Sequence, residues 1–168
     1  VKIKGVGHEF STLPGIMEDI VEITLNLKKA RFRVHIDEPQ VVTIQTKGER
    51  EVKAGDIAVN AHVEVITPGA HIATLTKKDA ELDMELTLER GLGYVPVEAS
   101  KAEKLPIGVI ALDAIFTPVL RVTFVVENMR VGERTDYNRL KLQITTDGTI
   151  TPSAALKQAV TIMEGHCI

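Results

Sequence analysis

Apolar residues recur along this chain with two different periods, and the switch between them marks its elements. Over residues 14–28, Ile16, Ile20, Ile23 and Leu27 fall on one face at helical spacing. Glu18 and Asp19 stand in the first turn of that helix and Lys28 and Lys29 at its end, an arrangement that offsets a helix dipole. A second helix is predicted over residues 152–164. Thr151 is its N-cap, Pro152 its first position, Gly165 its stop, and Leu156, Ala159, Val160 and Met163 its apolar stripe. Between these helices the period falls to two. Phe32, Val34 and Ile36 alternate with Arg31, Arg33 and His35, while Leu82, Met84, Leu86 and Leu88 alternate with Glu81, Asp83, Glu85 and Thr87, as in half-buried strands. The same alternation runs through Val63 and Val65, through Val122, Phe124 and Val126, and through Leu140, Leu142 and Ile144. Turn signals stand at Thr67-Pro68-Gly69 and Asp147-Gly148. About eight strands, clustered rather than alternating with helices, predict the α+β class with a largely antiparallel sheet. Residues 98–105 read as an exposed loop, and the chain has no repeat.

Composition narrows the function classes. The 168 residues are enough for one or two compact domains, and 44% hydrophobic against 26% charged residues favours a packed core over disorder. A net charge of −3 with interspersed signs gives no electrostatic reason for direct nucleic acid binding by this segment. One cysteine, Cys167, forms no internal disulfide, which suits an intracellular protein. With no apolar run of about 18 residues and no signal-peptide layout in residues 1–10, a soluble, cytoplasmic chain with no membrane contact is expected. It starts at Val1 on a strand and stops at Ile168 just after a helix, as a trimmed fragment would.

Candidate chemistry is thin. His8, His35, His62, His71 and His166 include no pair spaced to share a helical face, and His166 and Cys167, being adjacent, point in different directions. No metal is expected. The run GLGYVP at residues 91–96 carries glycines like a phosphate loop but lacks the lysine and helix, and reads as a bulge or turn beside a packed Tyr94. Ser11, Asp19 and His8 hold the letters of a triad without a nucleophile elbow. Ser11 and Thr12 read instead as satisfying backbone donors near the helix start. Asp113 interrupts an apolar strand at residues 107–116, where an ion pair or a backbone-bonded carboxylate outweighs an acid–base role. Arg130, Glu133, Arg134, Asp136 and Arg139 form either a solvated turn between two strands or an interaction patch. No catalytic residue and no cofactor emerge.

Five blocks carry a resemblance: VKIKGVGHEFSTLPGIMEDI at 1–20, running on through Leu25-Asn26-Leu27-Lys28, then RGLGYVP at 90–96, LDAIFTPV at 112–119, VGERTD at 131–136 and TDGTITP at 146–152. In this order and spacing they closely resemble the N-terminal domain of bacterial-type DNA-directed RNA polymerase alpha subunits. The resemblance implies an inserted β-rich subdomain over residues 1–117 and the returning part of an α+β dimerisation subdomain over 118–168. The family's first segment, with its arginine-rich helix, and the DNA-binding C-terminal domain have no counterpart here. The implied role is a non-catalytic assembly scaffold in transcription: two alpha subunits pair, and the pair recruits the beta and beta-prime subunits. By resemblance His8, Glu9, Phe10, Ser11 and Thr12 belong to a beta-facing surface, and Arg130, Arg134, Thr135 and Asp136 to a beta-prime-facing one. Leu156, Ala159, Val160 and Met163 supply half of a dimer core, with pairing expected to be weak without the missing helix. A bacterial cytoplasm is implied, or a plastid stroma. The rival readings are a stand-alone β-rich binding module and a small enzyme of unknown reaction.

Overall fold

The structure, a computed structural model, describes residues 1–6, 11–97 and 108–167. Two compact units divide the chain, Val1–Phe116 and Thr117–Ile168. All strand pairings among the described residues are antiparallel. They form five small sheets, one of three strands and four of two, where the alternation had suggested one larger sheet.

The first unit begins with β1 (Lys2–Ile3), followed by helix α1 (Ile20–Leu27), β2 (Phe32–Val34), β3 (Gln40–Lys47) and β4 (Arg50–Lys53). It continues through β5 (Val63–Val65), β6 (His71–Leu75), β7 (Glu81–Leu88), β8 (Tyr94–Val95) and β9 (Ala114–Ile115). β7 lies between β1 and β3, and Ile44 faces Met84 across the ladder as Val42 faces Leu86. Because cross-strand partners share a face, the alternation of β7 puts Leu82, Met84 and Leu86 together on the inner side. There they join Ile20 and Ile23 of α1, Ile72 and Leu75 of β6, and Val52 of β4 in one buried cluster. Ile36 lies beyond β2, whose three residues pair with β5.

Helix α1 starts six residues later than the periodicity predicts. Gly15 takes a φ of +78°, a left-handed conformation that breaks a helix, and the residues after it add to the edge of β6. Met17 N–H donates to Thr74 O at 3.0 Å, Thr76 N–H to Gly15 O at 2.8 Å, and Ile16 bridges Leu75. The N-cap is Asp19, whose carboxylate accepts Glu22 N–H at 2.7 Å. Glu18 therefore precedes the helix, the first-turn acid is Glu22, Lys28 is the C-cap, and Ser11 and Thr12 lie well ahead of the N-cap.

In the 107–116 stretch the described strand is only Ala114–Ile115, paired with β8. Tyr94 is exposed, not packed; the ring beside the glycines is Phe116, which would stand 2.6 Å from a Cβ on Gly91. The expected loop at 98–105 lies outside the described residues.

The second unit is a hairpin of two 13-residue strands, β10 (Val119–Val131) and β11 (Arg134–Thr146), followed by helix α2 (Pro152–His166). Thr151 caps α2, its hydroxyl accepting Ala154 N–H at 3.3 Å. The helix runs through Gly165 to His166, two residues past its predicted end at Glu164, and Cys167 is its C-cap. Among the described residues no helix is long and apolar enough to cross a membrane.

Candidate interaction surfaces

No described residue of the second unit is buried. Its strands alternate as half-buried strands do, yet neither face is covered within the unit. In the hairpin register Val122 faces Ile144, Phe124 faces Leu142 and Val126 faces Leu140, so these six apolar side chains share one face. Thr123, Gln143, Lys141, Glu127 and Arg139 share the other with Val125, and Lys141 pairs with Glu127 there at 2.6 Å. On the apolar face Phe124 is 69% exposed and Leu140 59%. On α2, Leu156, Ala159, Val160 and Met163 are all exposed, with Ile162 beside them. Sequence reasoning found the α2 stripe but took the hairpin face for ordinary core, since a period of two reports which residues share a face and not what lies on it.

At the hairpin tip, Gly132 takes a φ of +62° and closes the tight turn between Val131 and Arg134. Arg130 Nε donates to Gly132 O at 2.7 Å. Arg134 grips Asp136 with two bonds, Nε to Oδ1 at 3.0 Å and Nη2 to Oδ2 at 2.5 Å, and lies 4.9 Å from the centre of the Tyr137 ring. The guanidinium lowers the Asp136 carboxyl below its usual range. This solvated turn thus presents an ordered arginine, and Thr135 stands exposed between the pair. The structure brings Arg130, Arg134, Thr135 and Asp136 to one tip.

In the first unit, His8, Glu9 and Phe10 lie outside the described residues. Ser11 is half-buried and Thr12 exposed, at the start of the segment that runs along β6. That segment is pinned by Glu18, a buried carboxylate that accepts Thr74 N–H at 2.6 Å, Thr74 Oγ1 at 2.9 Å and His71 Nε2 at 2.8 Å. Burial pushes the Glu18 carboxyl up, but the bonds from Thr74 N–H, His71 and the Thr74 hydroxyl outweigh it, and the net shift is downward. Val21 and Leu25, four residues apart, are exposed along the outer side of α1, and Met17 is exposed ahead of it.

Asp113 is held by Lys28 Nζ at 2.8 Å and by Val97 N–H at 3.1 Å, and these bonds, the lysine's first, lower its carboxyl. It is the ion-paired, backbone-bonded aspartate that the residues suggested, linking the end of α1 to the β8–β9 ribbon. Among the described residues no three His, Cys, Asp or Glu side chains gather as metal ligands would.

Comparison with known proteins accords with these features. The family described as the RNA polymerase Rpb3/RpoA insert domain matches residues 1–117. A DNA-directed RNA polymerase subunit alpha from Alkaliphilus oremlandii is 52% identical over 166 residues, covering 99% of this chain and 52% of its own length. The protein of the same name from Symbiobacterium thermophilum is 48% identical over 166 residues with the same coverage. That from Geobacter metallireducens is 47% identical over 164 residues, covering 98% of this chain and 48% of its own. The chain thus spans about half the length of the relatives it matches. With a family match over more than half its residues and near-complete alignment to these relatives, the chain belongs to the RNA polymerase Rpb3/RpoA insert domain family.

Proposed function

We propose that this chain serves as a non-catalytic assembly scaffold of a DNA-directed RNA polymerase, working through surfaces and not through chemistry of its own. The observation that carries the reading is the bare apolar face of the hairpin, together with the exposed stripe on α2. Contiguous apolar surface of this kind marks an interface, and the relatives bear the name of a subunit, a protein that works among others. In this reading the stripe Leu156, Ala159, Val160 and Met163 pairs two copies. The tip with Arg130, Arg134, Thr135 and Asp136 faces the beta-prime subunit, where an ordered guanidinium gives register and partner choice. The segment from His8 to Thr12 faces the beta subunit. The subdomain division at residue 117 belongs to the same proposal: one unit supplies a closed body and the other the surface for pairing.

The test is competition during reconstitution of a polymerase from purified beta, beta-prime and complete alpha subunits of a relative. Excess of this chain is expected to lower the yield of assembled enzyme, and a chain carrying Glu9→Lys with Arg134→Glu to compete poorly. An unsubstituted chain without effect on assembly would remove the reading.

A further inference from the structure

The ribbon of β2 and β5 brings two histidines to opposite positions. Its register pairs Phe32 with Val65, Arg33 with Glu64 and Val34 with Val63. The pairing runs one step further, where His35 N–H donates to His62 O at 2.9 Å. Side chains alternate between the faces of a ribbon. Val34 and Val63 belong to the core side of this one, Val63 buried and Val34 packed against the cluster. The residues flanking them, Arg33 and His35 on one strand and His62 and Glu64 on the other, therefore share the outer face, and both histidines are exposed there.

Backbone bonds hold both positions. The turn that delivers His62 is closed by Val63 N–H to Asn60 O at 3.2 Å, and His62 N–H donates to Asn60 Oδ1 at 2.9 Å. Asn60 is tied in turn to Gln40 Oε1 at 2.9 Å. One step along the outer face Arg33 Nη1 holds Glu64 Oε2 at 2.7 Å, which commits that carboxylate. The two rings, by contrast, make no hydrogen bond or ion pair with a described residue. His71 differs in this respect: its Nε2 lies 2.8 Å from Glu18 Oε1 and its Nδ1 3.1 Å from Glu51 Oε1, so both of its nitrogens are taken.

Two neutral imidazoles side by side form a chelating pair. Residues opposite each other on antiparallel strands have Cβ atoms about 4.5–5.5 Å apart, and an imidazole nitrogen binds zinc at about 2.0–2.1 Å. Two rings leaning together on such a pair span one ion without moving the backbone. We propose that His35 and His62 form a surface site for a divalent transition metal ion, with two protein ligands and the remaining coordination positions left to water. Imidazole selects the ion: Zn²⁺, Cu²⁺ and Ni²⁺ suit it, whereas Mg²⁺ and Ca²⁺ require oxygen ligands. Glu64, held by Arg33, stays outside the coordination sphere, in keeping with the lack of any three-ligand cluster among the described residues. Sequence spacing carries no sign of this pair, because only the register of β2 with β5 makes it.

Titration of the 168-residue chain with Zn²⁺ at pH 7.5, followed by its imidazole and backbone amide signals, tests the site. The chain carries Cys167→Ser throughout, since an exposed thiol is a metal ligand in its own right. The ring signals of His35 and His62 and the amides of β2 and β5 are expected to shift together, to saturate at one ion per chain and to return on adding EDTA, while Mg²⁺ moves none of them. His35→Asn and His62→Asn are each expected to weaken binding on the order of a hundredfold, because the second ring binds within the same molecule. Unmoved amide signals in β7 show that each variant is folded. Glu64→Gln and His166→Asn are expected to leave the affinity unchanged. Binding that survives the loss of either histidine, or a shift in only one of the two rings, overturns the site. A loss in Glu64→Gln or His166→Asn as large as that in His62→Asn overturns it as well.

Discussion

Phe124 offers the sharpest test of the surface reading, because it lies at the middle of an apolar face and touches little in this chain. It is 69% exposed, between Val122 and Val126 on its own strand and opposite Leu142. A buried aromatic side chain covers roughly 150–250 Å², so the exposed part of Phe124 amounts to somewhat over 100 Å². At about 25 cal/mol per Å², covering it in a complex is worth about 3 kcal/mol, or roughly a hundredfold in a dissociation constant. Phe124→Ala should forfeit most of that, and Phe124→Asp more, since a carboxylate would be desolvated against an apolar partner. In the chain by itself both should be nearly silent, within about 0.5 kcal/mol, as surface substitutions usually are. Urea unfolding reads the second quantity. Sedimentation velocity and recovery on immobilised polymerase subunits read the first. The reasoning is refuted if association is unchanged in both variants, or if the isolated chain loses several kcal/mol, which would mean that Phe124 is already packed.

Other substitutions probe the first unit. Ile44→Ala removes a side chain with no exposed surface from the centre of the three-stranded sheet, and urea unfolding should show a loss of about 2–5 kcal/mol. Gly15→Ala forces a left-handed φ on alanine and brings its Cβ within 2.9 Å of the Ala80 Cβ, so a loss above the 1–2 kcal/mol of the conformation itself is expected by the same measurement. Glu18 titrates below its ordinary 4.5, so its contribution to stability is present above that value and is lost as pH falls through its lowered folded value. An acid unfolding series should therefore show a steeper loss below pH 4.5 in the unsubstituted chain than in Glu18→Gln.

The legible parts of the fold are those in which local pattern and tertiary burial agree. The alternation of Glu81–Leu88 predicted a strand with one buried face because β7 sits in the middle of a sheet packed on a core. Thr151 and Pro152 predicted the start of α2 because capping is settled within one turn. The start of α1 was misread because the periodicity of Ile16 and Ile20 continues through residues that a left-handed glycine and pairing with β6 hold out of the helix. Asp113 was readable as a partnered carboxylate, since an acid in an apolar run needs a partner, but not as the partner of Lys28, 85 residues away. The Glu18–His71–Glu51 arrangement had no local signal at all. Its groups are 53 and 20 residues apart, and only the pairing of β4 with β6 assembles them.

The two units solve the burial problem differently, and that difference bears on function. Val1–Phe116 closes its own core, with eleven of its described apolar residues under 2% exposed, so its stability is intramolecular and independent of concentration. Thr117–Ile168 leaves an apolar sheet face and an apolar helix stripe in water, and a two-stranded ribbon alone is marginal at best. Whatever covers those faces stabilises the second unit by mass action, by an amount that grows with partner concentration relative to its dissociation constant. Heating the chain while following amide signals of β7 and β11 separately should then give two transitions. The β7 transition should keep its midpoint across a hundredfold range of protein concentration. The β11 transition should come earlier and rise with concentration if copies of the chain pair through these faces, and one coincident, concentration-independent transition would show that the second unit does not depend on a partner for its order.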